Sequence, residues 1–227
     1  MKVFSTKLKI LFFPIYYLIH NNLFFGLIHK YIIRVFNYKN FRFELQNLKL
    51  PLGYYSSFLW KTYELNDRVI IEKNLTKKNK CIIIGGGIGF IATLTYHITK
   101  NKILVFEINK EILNNLKKNL KINKSKFKIY NSNLTLRKNY NKKYYFDTNN
   151  FLTNSIFRNT KKKIKFNNLF YKKIKKFENF NTLIIDGEGI EKHYVENIKK
   201  LKSIKHLIFE FHSDILNENK KKNSLIF

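Results

Sequence analysis

The sequence predicts an α/β fold in which a mostly parallel sheet is covered by helices on both faces. Three observations carry this. Short runs dominated by apolar residues recur at Cys81–Ile84, Ile103–Phe106, Thr182–Ile185 and Leu207–Phe209; each is too short for a helix and reads as a strand buried on both sides. Amphipathic stretches separate them: Ile112, Leu113, Leu116 and Leu120 share one face over 110–121, and Tyr194, Val195, Ile198 and Leu201 share one over 190–202. Each run also ends in glycine or a carboxylate, at Gly85, Glu107, Asp186 and Glu210. Strand, crossover helix, strand, repeated, gives parallel pairing with right-handed connections.

Residues 1–40 form an apolar and basic extension, and 41–227 the main domain. The run Ile10–Ile19 is half of the ~20 residues a transmembrane helix needs. Pro14 interrupts it, and His20, Asn21 and Asn22 follow. No small-residue cleavage site follows, which argues against a signal peptide. Residues 1–38 read either as helices packed on the domain or as an interfacial segment, with Lys on the polar side and Phe, Tyr and Leu on the other. Weak attachment of that kind would place a cytoplasmic protein at the inner face of the membrane.

Phe41–Gln46 alternates apolar and polar, as a half-buried strand does. Pro51 and Gly53 mark a turn, and 63–75 reads as a helix with Leu65, Val69, Ile70 and Leu75. Phe90–Ile98 continues the Gly-rich turn as a helix, and Phe127–Tyr130 is a further strand. Residues 134–178, rich in Asn, Lys and Tyr, read as an irregular insertion at the sheet edge or site mouth, with a short helix at 168–177. Disorder is the alternative over 137–162. Little chain remains after His212 for further antiparallel strands.

The chain has 227 residues, 44% of them hydrophobic, enough for a core and too many for a disordered chain. A single cysteine, Cys81, excludes a disulfide framework and a cysteine zinc site. The 44 basic and 15 acidic residues leave a net charge of +29. Such a balance suggests nucleic acid or an anionic surface, but the composition argues otherwise. Arg occurs only at positions 34, 42, 68, 137 and 158, and Ala only at Ala92. Abundant Lys, Asn, Ile and Phe with scarce Ala, Gly, Pro and Arg is the codon bias of an AT-rich genome. Phosphate readers favour the planar fork of Arg, so the scattered Lys reads as solvated surface.

The chemistry gathers at strand ends, where parallel sheets bind ligands. Gly85, Gly86, Gly87 and Gly89 form a turn in which backbone can approach a ligand, with the free N–H groups of a helix start behind it. The spacing is G-x-G-x-G. A dinucleotide fingerprint counted from Gly85 needs Gly where Phe90 stands; counted from Gly87 it ends on Ala92. Glu107 closes the next strand, where a carboxylate can accept both hydroxyls of a ribose, as in NAD, FAD or S-adenosylmethionine. His97 and His193 fall on helical positions and read as structural.

The next motif separates these cofactors. Asp186-Gly187-Glu188-Gly189-Ile190-Glu191 sits at a strand-to-helix junction, and Leu207-Ile208-Phe209-Glu210-Phe211-His212 ends the following strand. Together with Tyr63-Glu64 upstream and Val105-Phe106-Glu107-Ile108-Asn109 at the second strand, this resembles the FkbM-type family of S-adenosylmethionine-dependent methyltransferases. The likeness covers roughly residues 60–212, with four motifs in the family's order. Ile83 departs from it, standing where members carry an acidic residue, and Gly187 replaces an aliphatic one.

The resemblance implies a Rossmann-like class I methyltransferase fold and S-adenosylmethionine as cofactor. It implies a cofactor site of Tyr63, Glu64, Gly85, Gly86, Gly87, Gly89, Glu107, Ile108, Asn131 and Asp186. It also implies methyl transfer to a hydroxyl of a sugar, glycan or related small molecule. Asp186, Glu188 and His212 are the candidate catalytic residues, and Glu191 and Glu210 the candidate acceptor contacts. Asp186 and Glu188 could hold a divalent cation such as magnesium, although no spacing demands one. Two other readings stay open. A nucleic-acid methyltransferase would use the basic surface and show steeply salt-dependent affinity, yet no recognition module is present. A catalytically inactive binding domain would fit Ile83 and the short C-terminal segment.

Overall fold

The structure is a computed structural model that describes residues 22–138, 144–146, 162–164, 167–174, 176–187, 190–209 and 225–226. The chain enters as helix α1 (Asn22–Ile28), widened into a π turn over His29–Ile33. Arg34, at φ 54, turns it into a hairpin of β1 (Val35–Tyr38) and β2 (Phe41–Glu44). The alternation at 41–46 therefore makes a strand, but one that pairs antiparallel with β1 and stays outside the main sheet. Its inward residues explain the pairing: Phe36 lies opposite Phe43, and their rings stack at 5.7 Å.

Helix α2 (Leu52–Leu59) starts behind Pro51, and α3 (Leu65–Asn74) follows. The buried residues of the 63–75 segment are Tyr63, Ile71 and Leu75, whereas Leu65 and Val69 face solvent. Next come β3 (Cys81–Ile84), α4 (Phe90–Thr99), β4 (Ile103–Phe106), α5 (Leu113–Ile122) and β5 (Phe127–Tyr130). The insertion contributes β6 (Asn133–Thr135), β7 (Tyr144–Phe146), β8 (Lys162–Ile164) and β9 (Asn168–Phe170). The helix expected at 168–177 is replaced by β9, paired parallel with β6, and by 3-10 turns at Tyr171–Lys173 and Phe177–Asn179. Ile174 and Phe177 are the buried residues there, and a spacing of three suits 3-10 geometry. Last are β10 (Thr182–Ile185), α6 (Glu191–Glu196), β11 (His206–Phe209) and β12 (Leu225–Ile226). Helix α6 is shorter than the 190–202 expected, giving way to a 3-10 turn at Ile198–Lys200.

The main sheet runs β12-β11-β10-β3-β4-β5, with β12 antiparallel and the other pairings parallel. This is the mostly parallel, helix-covered α/β fold the sequence predicts, and β12 adds the antiparallel edge for which little chain seemed left. Strand alternation divides the core into two layers. Cys81, Ile83, Ile103, Val105, Ile184 and Ile208 face the hairpin and helices α2–α5. Ile82, Ile84, Leu104, Phe106, Leu183, Ile185, Leu207 and Phe209 face Leu134, Leu136, Ile190, Tyr194 and Leu201. Both faces are thus apolar, as short uninterrupted hydrophobic runs require.

Two asparagines on α5 fasten the hairpin to this core. Asn119 accepts from the Glu44 N–H at 2.8 Å and donates to the Glu44 carbonyl at 3.2 Å. Asn123 does the same for Arg42, at 3.0 and 2.8 Å. Residues four apart on a helix thereby match residues two apart on a strand, and the edge of β2 is satisfied without a further strand. No helix among the described residues is long and apolar enough to cross a membrane.

Candidate functional site

The parallel register carries the ladder one residue past each strand. Gly85 N–H donates to the Phe106 carbonyl at 2.9 Å, Asp186 N–H to Ile84 at 2.9 Å and Glu107 N–H to Tyr130 at 3.0 Å. Gly85 is therefore flanked by Asp186 on one side and Glu107 on the other, with neighbouring strands ~4.8 Å apart. The strands on either side of β3 connect in opposite directions along the sheet, so this is the switch point at which such sheets bind ligands.

The glycine bend fits that position because nothing larger would. A Cβ on Gly85 would lie 1.9 Å from the Asp186 carbonyl oxygen, at φ +87. Gly89, at φ +90, turns the chain into α4, and its carbonyl accepts the Thr93 N–H at 2.9 Å. Glu107 holds the bend from the other side. Its Oε2 accepts the N–H groups of Gly86 at 2.9 Å and Gly87 at 3.1 Å, and its Oε1 accepts that of Asn109 at 2.8 Å. The carboxylate is only 7% exposed. Burial pushes its pKa up, against the pull of the backbone N–H groups of Asn109, Gly87, Gly86 and Ile108. Glu107 is thus a strap across the glycine turn as well as a candidate ribose acceptor.

Asn131 stands beyond β5 and donates to the carbonyls of Glu107 at 2.8 Å and Ile108 at 3.2 Å, fixing the loop that carries both. Tyr63 lies in the core against Phe58, ring centroids 4.5 Å apart. Burial holds its hydroxyl well above the ordinary value, aided by the Glu64 carboxylate to which it donates and by the charge of Asp186. Glu64, at φ 46, is one of eight described non-glycine residues in the left-handed region and starts the helix that follows. Tyr63 and Glu64 thus form a hydrogen-bonded pair, with the Asp186 charge acting on the Tyr63 hydroxyl.

Glu191 is 4% exposed, and its Oε1 accepts the Gly187 N–H at 3.2 Å, closing the turn between β10 and α6. Glu188, Gly189, Glu210 and His212 lie outside the described residues, as do residues 1–21 of the extension. His97 and His193 are bonded within the fold. The His97 ring meets the Asn123 carbonyl at 2.7 Å, and His193 Nε2 accepts the Leu136 N–H at 3.0 Å. No group of His, Cys, Asp and Glu fit to hold a metal ion occurs among the described residues.

Ser132 is buried beside Asn131, and its Oγ has no hydrogen-bond partner among the described residues. A buried hydroxyl at a strand end is a place for a ligand's polar edge. Sequence reasoning missed Ser132, and also Asn119, whose Nδ2 donates to the Ile88 carbonyl at 2.9 Å behind the glycine bend. Ser132 has a signal in retrospect, a small polar residue two positions after a strand. Asn119 has none, since its role depends on the hairpin folding back from residues distant in sequence.

No family model matches the chain, and no curated protein does. Solved structures align with it at low similarity. An uncharacterized protein from Listeria monocytogenes serotype 4b aligns at 13% identity and TM-score 0.40, over 63% of this chain and 50% of that one. This chain thus spans half the length of that protein. A "putative RNA methyltransferase" from Pyrococcus horikoshii aligns at 12% identity and TM-score 0.34, over 91% and 94%. A "putative transferase" from the same organism aligns at 16% identity and TM-score 0.30, over 40% and 32%.

Proposed function

We propose that this protein is an S-adenosylmethionine-dependent methyltransferase of the FkbM type, acting on a hydroxyl of a sugar, glycan or related small molecule. The observation that carries the reading is the shared rim: the glycine bend at 85–89, Glu107 and Asp186 meet where the sheet reverses, and the Asp186 charge reaches the Tyr63 hydroxyl. A second argument is electrostatic. In a chain of net charge +29, this rim gathers carboxylates. That suits a cationic sulfonium and opposes phosphate, so the reading favours a neutral hydroxyl acceptor over nucleic acid.

Each residue then has a task. Gly85–Gly89 lets the backbone come close to the nucleoside. Glu107, braced by three N–H groups, presents its carboxylate edge to the ribose hydroxyls. The Ser132 hydroxyl and the loop pinned by Asn131 suit the base. When bound, the cofactor supplies an electrophilic methyl group on sulfur. The protein must hold an acceptor oxygen in line with it, and positioning of this kind contributes much of a rate enhancement. Asp186, half-buried at the strand end, orients the acceptor and takes its proton as general base. Glu191 keeps the turn that carries Asp186 in shape through Gly187. Glu188, Glu210 and His212 are assigned by sequence position alone, next to the acceptor.

The test is transfer of a labelled methyl group to a panel of sugars and glycans, with RNA as a control acceptor. Asp186→Asn should lower kcat by on the order of 100-fold, a larger loss than any weakening of cofactor affinity, which is read separately by calorimetry. Labelling confined to RNA, or an Asp186→Asn enzyme as fast as the parent, would contradict the proposed acceptor and base.

A further inference from the structure

We propose that the exposed apolar tip formed by α1, the π turn behind it and Trp60 seats this protein on the surface of an anionic bilayer. After Asn22, helix α1 is apolar all round, and α2 takes only one side of it. Gly26 lets the helices meet backbone to backbone, since a Cβ there would lie 2.3 Å from the Leu52 carbonyl oxygen. His29 is buried against the rings of Tyr55 and Phe58. Phe25 meets Trp60 edge-on at 5.2 Å. That stripe is covered by the fold.

The other side faces water. Leu27 is 44% exposed, and Tyr31 and Ile32, one widened turn further on, are 58% and 75% exposed. Ile33 and Trp60 extend the surface, at 39% and 50%. Grouped exposed hydrophobics of this size mark an interaction site, and Tyr and Trp are the residues that favour a bilayer interface.

Charge decides the partner. Lys30 Nζ lies over the Tyr31 ring at 5.4 Å and the Tyr55 ring at 5.8 Å. Arg34 Nε donates to the Tyr31 carbonyl at 2.8 Å. Both cations are thus held at the rim of the apolar surface. Residues 1–43 contain Lys2, Lys7, Lys9, Lys30, Arg34, Lys39 and Arg42 and no Asp or Glu. An apolar surface flanked by Lys30 and Arg34 fits anionic headgroups over acyl chains. Each cation near such a surface strengthens binding by roughly fivefold.

The protein carries its own reporter, because Trp60 is its only tryptophan. The full chain is titrated with extruded vesicles of phosphatidylcholine, with and without one-third phosphatidylglycerol as an anionic component. Trp60 emission should shift to the blue and be quenched by brominated acyl chains on the anionic vesicles. Affinity should be about tenfold weaker on neutral ones and fall with salt. Ile32→Glu, at a solvent-facing position, should lower binding at least about tenfold while the melting temperature holds. Lys30→Glu should weaken it by the loss of one rim cation and serves if the first variant misfolds. The proposal is overturned if Trp60 emission does not respond to anionic vesicles, or if both variants bind like the parent. It is also overturned if sedimentation shows the free protein to be a dimer that Ile32→Glu splits, since a second copy would then own the surface.

Discussion

At the residue scale, the site is a problem of backbone crowding solved by missing side chains. Gly85 has two independent reasons to be glycine, its positive φ and a carbonyl oxygen 1.9 Å from where a Cβ would sit. The obstacle is backbone of the neighbouring strand, which cannot step aside as a flexible side chain could. Gly85→Ala should therefore destabilise the fold by about 3 kcal/mol or more, read as a lower urea midpoint. A variant as stable as the parent would mean that the two strand ends are not joined as described. Glu107 meets the opposite condition. Its carboxylate is buried but stabilised by N–H groups, and burial outweighs them in setting its pKa above the ordinary range. The ionised form is thus kept at some cost in stability, as is common where a charge serves a ligand.

At the element scale, the extension and the hairpin are held by contacts that only the folded chain creates. His29 anchors α1 on α2, and burial lowers its pKa below the ordinary 6.5. The folded state thus prefers the neutral ring, whereas the unfolded chain takes up a proton near 6.5. The linked stability is complete above that value and is lost as pH falls from 6.5 through the depressed folded value. Thermal melts should show stability dropping between pH 7 and pH 5, and His29→Leu should flatten that part of the profile. An unchanged profile would show that His29 is not buried against α2. The Asn119 and Asn123 clamps illustrate the same dependence, since they read as ordinary polar residues on the face of α5 until β2 is laid beside them.

At the scale of the whole molecule, the sheet was legible and its surroundings less so. The strands at 81–84, 103–106, 182–185 and 207–209 announce themselves because burial on both faces leaves no polar alternation, whereas Lys128 interrupts the edge strand at 127–130. Gly85, Glu107 and Asp186 were legible for the same reason, as polar residues ending apolar runs. The hairpin partner of Phe41–Glu44 was not, because Val35-Phe36-Asn37-Tyr38 continues an apolar stretch that reads equally well as helix. The 168–177 segment misleads because Ile174 and Phe177 fit both a helical and a 3-10 spacing. Asn119 escapes because its role depends on which carbonyls the fold brings to it.

All of this turns on whether the rim of loops around Gly85 grips an adenosyl sulfonium. Calorimetric titration of the full chain with S-adenosylmethionine tests that most directly. The account predicts one site of micromolar affinity, weakened at least about tenfold in a folded Glu107→Ala protein through loss of the bracing and ribose-facing carboxylate. No heat of binding to the parent, or equal affinity in the variant, would contradict it.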